Sequence, residues 1–375
     1  MKRVVLPAGC AAVIAGLLCS TALAAAGPLT PARAYDITAT RPLAAEAQVP
    51  SVLAYWLGGD GRALATATPY GLRTKVTARP ASQGGAAADG KPGGVRPADP
   101  KPGPDRKPGS GGKPDGVHTA QNTNPAPTSK NVNLPRTTGK VFFLGSDDKP
   151  YWCSGTSIQA THRNLVATAG HCAFDTDNGG APMRNWIFIP GYLPGTIPFG
   201  VYVGKQAFTH HDFATYRDLD RDYAFVTVYN GLAPQPSRGP GRIRLADGGP
   251  LADGVGGQGL AYNQKIGRRT VIVGPSGPSV QGMTFPAQDP SIQADELIGL
   301  RSSRTADGSS WLIGYRKANR LGYLNGITIT MSGAAAVSPY FDGELHDVYA
   351  AARRVESGPV PSGSVREGGN EINIR

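Results

Sequence analysis

Cysteine is scarce in this chain: four residues among 375, Cys10, Cys19, Cys153 and Cys172. Two fall within the first 26 residues, which leaves one pair for everything that follows. A single pair, 19 residues apart, lacks the second pair of ligands that a zinc site draws on, so no metal is expected. Long apolar runs are equally rare. Beyond the N-terminus no stretch offers the roughly 20 apolar residues that cross a bilayer, so no membrane span is expected. The formal net charge is +11, yet the most basic segment contains no aromatic residue. The base-stacking pattern of a nucleic-acid binder is therefore missing.

What is present divides the chain into four parts. Lys2 and Arg3 precede an apolar run from residue 4 to 18, followed by small residues at Ala22, Ala24 and Ala26. That order reads as a secretory signal peptide over residues 1–26, and an extracellular location follows. In that oxidising setting Cys153 and Cys172 are expected to form a disulfide. Residues 27–83 hold only scattered apolar content, such as the run 52–57, too little for a core of their own. They read as a pro-segment. Residues 84–136 are rich in Gly, Pro, Ala and Lys, with Lys-Pro recurring at Lys91, Lys101, Lys107 and Lys113. So little apolar surface cannot offset the entropy of ordering, and a disordered, solubilising linker is expected.

A folded domain is expected over residues 137–375. Short β-like runs at 186–189, 201–203, 223–228, 270–273 and 325–330 are separated by Gly, Pro, Asn and Asp. This pattern predicts an all-β sandwich or barrel. Leu345, Val348, Tyr349 and Ala352 recur at helical spacing and predict a C-terminal helix. His210 and His211 are neighbours on an extended run, so their side chains face opposite ways and cannot readily share an ion.

The sharpest signal is Leu165-Val166-Ala167-Thr168-Ala169-Gly170-His171-Cys172, an apolar strand that delivers a histidine beside a cysteine. Upstream, Cys153-Ser154-Gly155-Thr156 supplies the partner thiol. Over residues 139–356 these motifs resemble the trypsin-like serine peptidases, in particular the secreted bacterial branch that includes glutamyl endopeptidase-like enzymes. The resemblance implies two antiparallel β-barrels of the chymotrypsin type, with the site in the crevice between them. It implies a triad of His171 as general base, Asp222 as the carboxylate that orients it, and Ser310 as nucleophile. Ser310 is matched within Asp307-Gly308-Ser309-Ser310-Trp311-Leu312, where Gly308 fits the glycine that precedes the nucleophile in the family's Gly-x-Ser-Gly-Gly-Pro. Ser309 is the neighbouring alternative. The N–H groups of Gly308 and Ser310 would form the oxyanion hole, and Gly326 and Thr328 would lie along the substrate cleft. Glutamate-specific enzymes carry a histidine where this chain has Thr328. Trp311-Leu312 departs from the Gly-Gly-Pro pattern, and no cysteine flanks Ser310. The expected function is a monomeric, cofactor-free secreted endopeptidase acting on protein or peptide. Its rival, favoured by Trp311, is a protease-like binding protein that does not cut.

Overall fold

The computed structural model describes residues 36–81, 85–101, 136–236, 242–275, 277–302, 305–360 and 371–373. The signal peptide expected over 1–26 lies outside them, as do residues 102–135 of the expected linker. Among the described residues no helix is long and apolar enough to cross a membrane.

Six strands form the first half: β1 (Thr138–Leu144), β2 (Pro150–Ile158), β3 (Leu165–Thr168), β4 (Arg184–Pro190), β5 (Tyr202–His210) and β6 (Ala224–Val228). They pair in the order β4-β1-β2-β3-β6-β5, and β5 returns to β4, so the antiparallel ladder closes into a barrel. Closure removes the sheet edges. Val141, Val166, Phe188 and Phe225 belong to its core. Gly155 sits where a β-carbon would lie 2.7 Å from a Val141 methyl, so glycine there lets the barrel pack tightly.

The second half comprises β7 (Gly259–Tyr262), β8 (Arg269–Gly274), β9 (Gly277–Met283), β10 (Phe285–Asp289), β11 (Ala294–Arg301), β12 (Ser310–Arg316), β13 (Leu321–Ile327) and β14 (Ala335–Pro339). One sheet runs β9-β8-β12-β13-β7, and another runs β14-β11-β10. Leu297, Leu312, Leu324 and Val337 from these two sheets share one core. The architecture is the chymotrypsin type expected: a closed barrel beside a half-barrel whose sheets are not joined into one ladder. Helix α1 (Gly343–Ala352) follows, with Asp342 accepting the Leu345 N–H at its start. It buries Leu345, Val348, Tyr349 and Ala352, the four positions its spacing predicted.

The N-terminal residues depart from expectation. Ile37–Ala39 pairs with β5, and the helix Val49–Leu57 packs on the outer face of the first barrel. Val49, Val52, Leu53 and Trp56 meet Phe142, Ile187 and Ile189 there, and the Trp56 indole N–H donates to the Asn185 carbonyl at 2.5 Å. The segment has too little apolar surface for a core of its own, so it buries that surface on the body. Part of the expected linker is also ordered. Gly93–Val95 pairs with β7, Ala98 and Gly257 exchange two hydrogen bonds, and Lys101 Nζ meets Asp253 at 2.9 Å. A β-carbon on Gly93 would overlap the Tyr262 ring, and one on Gly94 would lie 2.8 Å from the Leu260 carbonyl oxygen. Glycines that read as flexibility here permit close approach.

Candidate active site

His171 leaves β3 on the short turn Gly170–Cys172, and the disulfide between Cys153 and Cys172 ties that turn to β2. Asp222 stands just before β6. Thr168 and Ala224 face each other across the β3–β6 pair, so the two site residues emerge from the same end of it. Asp222 Oδ1 accepts the His171 backbone N–H at 2.9 Å, and its Oδ2 lies 2.8 Å from Nδ1. Gly170 makes room for this arrangement, because a β-carbon there would lie 2.9 Å from Asp222 Oδ1. The preceding residues anchor the loop. Asp220 accepts the N–H groups of Asp295 and Glu296, while Arg221 pairs with Glu296 at 2.5 Å and Glu344 at 2.6 Å. The acid of the pair is thus fixed to both β11 and α1.

The group facing the other imidazole nitrogen is Asp307, not a serine. Its Oδ2 lies 3.3 Å from Nε2 in an ion-pair contact that lacks hydrogen-bond alignment. The Asp307 carbonyl accepts the Ser154 N–H at 2.7 Å, which draws the loop against β2. Gly308 follows with φ of +81°, where a β-carbon would run into the Ser154 carbonyl. Only glycine fits both the torsion and the space.

Ser310 is three residues further on, inside β12 between Val273 of β8 and Ile327 of β13. Its Oγ donates to the Val273 carbonyl at 3.2 Å and accepts from Thr156 Oγ1 at 3.1 Å. Strand pairing lies on both flanks of the expected nucleophile, and His171 Nε2 makes no hydrogen bond to it. Ser309 Oγ is buried beside Gly274 with no hydrogen-bond partner. The Gly308 N–H donates to the Thr328 carbonyl at 2.7 Å, so the expected oxyanion donor is engaged within the fold. Gly326 backs onto Trp311, and Thr328 Oγ1 accepts the Trp311 indole N–H at 2.9 Å. Trp311 is fully buried with Ile272, Leu300 and Ala336. Gly326 and Thr328 therefore seat a core tryptophan. His210 and His211 diverge: one accepts the Asp212 N–H, the other meets Thr38 at 3.4 Å.

Burial disfavours the charged imidazole, but the charge and hydrogen bond of Asp222, and then the nearby carboxyl of Asp307, outweigh it and hold His171 up at about 10. Burial raises the Asp307 carboxyl in turn, and His171 pulls it only part of the way back. With its pKa held up at about 10, His171 favours the imidazolium form at neutral pH.

A strap of N-terminal chain lies over this group. Thr68 and Pro69 pair with Tyr151 and Trp152 of β2, and the Tyr70 N–H donates to the Trp152 carbonyl at 2.9 Å. The Tyr70 ring centre is 6.0 Å from that of His171. A β-carbon on Gly71 would lie 3.2 Å from Asp307 Oδ2, and the nearby Leu72 N–H draws the same carboxyl's pKa down. Beyond the site the Thr77 N–H donates to Asp289 Oδ2 at 2.6 Å, and Arg79–Pro80 pairs with β10. Between strap and barrel a cavity of about 180 Å³ remains, bordered by Leu72, Arg73, His171, Asp175 and Arg217.

Sequence reasoning missed Asp307 and the strap. For Asp307 a signal existed: the family motif has glycine on both sides of its nucleophile, and Gly308 was matched to the first. The structure places Gly308 after the residue that faces His171. No protein-family model and no curated protein matches the sequence. Among solved structures, the chain is similar to the protease Anisep from Arthrobacter nicotinovorans, at 25% identity over 60% of this chain and 97% of that one, with a TM-score of 0.48. It is similar also to the thermostable serine protease AL20 from an extremophilic microorganism, at 23% identity over 59% and 99%, with a TM-score of 0.49. A Glu endopeptidase aligns at 14% identity over 60% and 95%, with a TM-score of 0.42, so the solved structures similar to this chain include bacterial serine proteases.

Proposed function

We propose that this protein uses a serine-protease scaffold to hold extended peptide in its crevice without hydrolysing it, after export directed by residues 1–26. The carrying observation is Asp307 at Nε2 of His171. Acyl transfer needs a hydroxyl within reach of the imidazole, and an imidazole free to take its proton. Here the facing group is a carboxylate, and it helps keep the imidazole charged. A carboxylate paired with an imidazolium is a poor nucleophile and leaves no base.

The endopeptidase reading retains one supporting observation, the His171–Asp222 pair, which has the geometry of a base and its orienting acid. For that reading Ser310 would have to leave β12 and give up its bonds to Val273 and Thr156. Treatment of the oxidised, full-length protein with a fluorophosphonate at several pH values separates the two. The expected result is no labelling. Labelling that disappears in Ser310→Ala would establish the hydrolase instead.

A further inference from the structure

The strap makes the contacts that a foreign peptide would make. From Tyr70 to Arg79 exposure alternates strictly: Tyr70, Leu72, Thr74, Val76 and Ala78 turn inward, while Gly71, Arg73, Lys75, Thr77 and Arg79 are exposed. Period-two alternation is the signature of an extended chain laid on a surface. At either end the contacts are main-chain pairings, with β2 and with β10. Such strand addition is tolerant of sequence, and pockets for alternate side chains supply the selectivity. Only Val76 of the inward set is fully buried, at 5% exposure. The helix Val49–Leu57, by contrast, buries five residues.

We infer that residues 68–80 are a displaceable resident ligand, and that the crevice is a docking surface for a second extended polypeptide with an aromatic, an aliphatic and small residues at alternate positions. The inference rests on the peptide-binding reading above and gives Asp307 a task within it. Its carboxyl stands against Gly71 and Leu72 at the centre of the strap, where a charged acceptor attracts backbone N–H groups more strongly than a serine hydroxyl would. The strap is tethered on both sides, by Ile37–Ala39 on β5 and by Gly93–Val95 on β7. Tethering of this kind gives an effective concentration on the order of millimolar, so a free peptide competes poorly and the occupied crevice is the resting state.

The test uses the full-length chain and a fluorescein-labelled synthetic peptide of residues 66–81, followed by anisotropy. The strap-weakened variants are Val76→Asp and the pair Tyr70→Ala with Leu72→Ala. At least one folded variant should bind the peptide saturably, with wild type at least about 100-fold weaker. A peptide carrying Asp at the positions of Tyr70, Leu72 and Val76 should not bind. Hydrogen exchange on wild type supplies the second arm. The Tyr70 and Thr77 amides, hydrogen-bonded to Trp152 and Asp289, should exchange at least about 100-fold faster than that of Val226 in the barrel, through local opening. Strap amides that exchange only together with Val226 would overturn the inference, even if both variants failed to fold. So would folded variants with a rapidly exchanging strap that ignore the peptide. Fluorophosphonate labelling of wild type would sink the non-hydrolysing reading but leave these binding results interpretable.

Discussion

Asp307→Ser would place a hydroxyl on the residue that now faces Nε2 of His171. Two unit charges 3.3 Å apart attract by about 5 kcal/mol at an effective dielectric constant of about 20. At 1.36 kcal/mol per pH unit this corresponds to roughly three to four units. Loss of the carboxylate should therefore bring His171 down from about 10 towards its ordinary range, by less than that figure because Asp222, the stronger partner, remains, and so raise the fraction able to accept a proton at pH 8. Position works against the variant. A serine oxygen ends about 1 Å short of a carboxylate oxygen, and a misplacement of that size costs about 100-fold. Asp307→Ser should react slowly with a fluorophosphonate, with a rate that rises as His171 loses its proton, at a pH below the value of about 10 held in wild type. Adding His171→Ala should abolish the reaction, and adding Ser310→Ala should leave it unchanged. Tyr70→Ala should speed it by loosening the strap. Labelling that persists without His171, or an imidazole that still titrates near 10 by NMR in Asp307→Ser, would refute the reasoning.

Three other outcomes are expected. The folded pKa of His171 lies above its ordinary value of 6.5, so the stability it contributes is full below about 6.5 and is lost as pH rises through about 10. The melting temperature should accordingly fall across that window more steeply in wild type than in Asp307→Asn, as thermal melts at stepped pH would show. Trp56→Ala should destabilise the whole body by about 3–5 kcal/mol in urea unfolding, since the indole is wholly buried against the first barrel; a negligible change would return residues 36–66 to the status of a removable pro-segment. Nicking between residues 102 and 135 should give two pieces that co-elute in native buffer and part in denaturant without reductant, because both disulfide cysteines lie on the C-terminal piece. Recovery of the C-terminal piece alone, folded and stable, would contradict the integration of the N-terminal residues.

The parts of this molecule that were legible in its sequence are local. His171 beside Cys172 after an apolar strand, Asp222 before another, and the helical spacing of Leu345, Val348, Tyr349 and Ala352 each carry their signal within a few residues. The anchoring of residues 36–81 and 85–101 was not legible because it is non-local and largely main-chain. Gly93 and Gly94 look like punctuation until Tyr262 and Leu260 are placed against them. Thr68 and Pro69 bear no apolar mark, yet β2 holds them through backbone pairing.

Asp307 escaped for a related reason. The loop that carries it is positioned by main-chain groups: its own carbonyl on the Ser154 N–H, the Gly308 N–H on the Thr328 carbonyl, and the Thr328 N–H on the Ser309 carbonyl. None of these bonds depends on which side chain residue 307 bears. The fold thus preserves the place facing His171 while leaving its chemistry free to change, and a search for a serine two residues after a glycine settles on Ser310. A buried carboxylate there would be costly if unpaired. It faces the imidazole at 3.3 Å and lies against the strap at Gly71 and Leu72. On the binding reading, Asp307 both charges the imidazole and stands against the strap, so the absence of hydrolysis and the occupation of the crevice would have one structural origin.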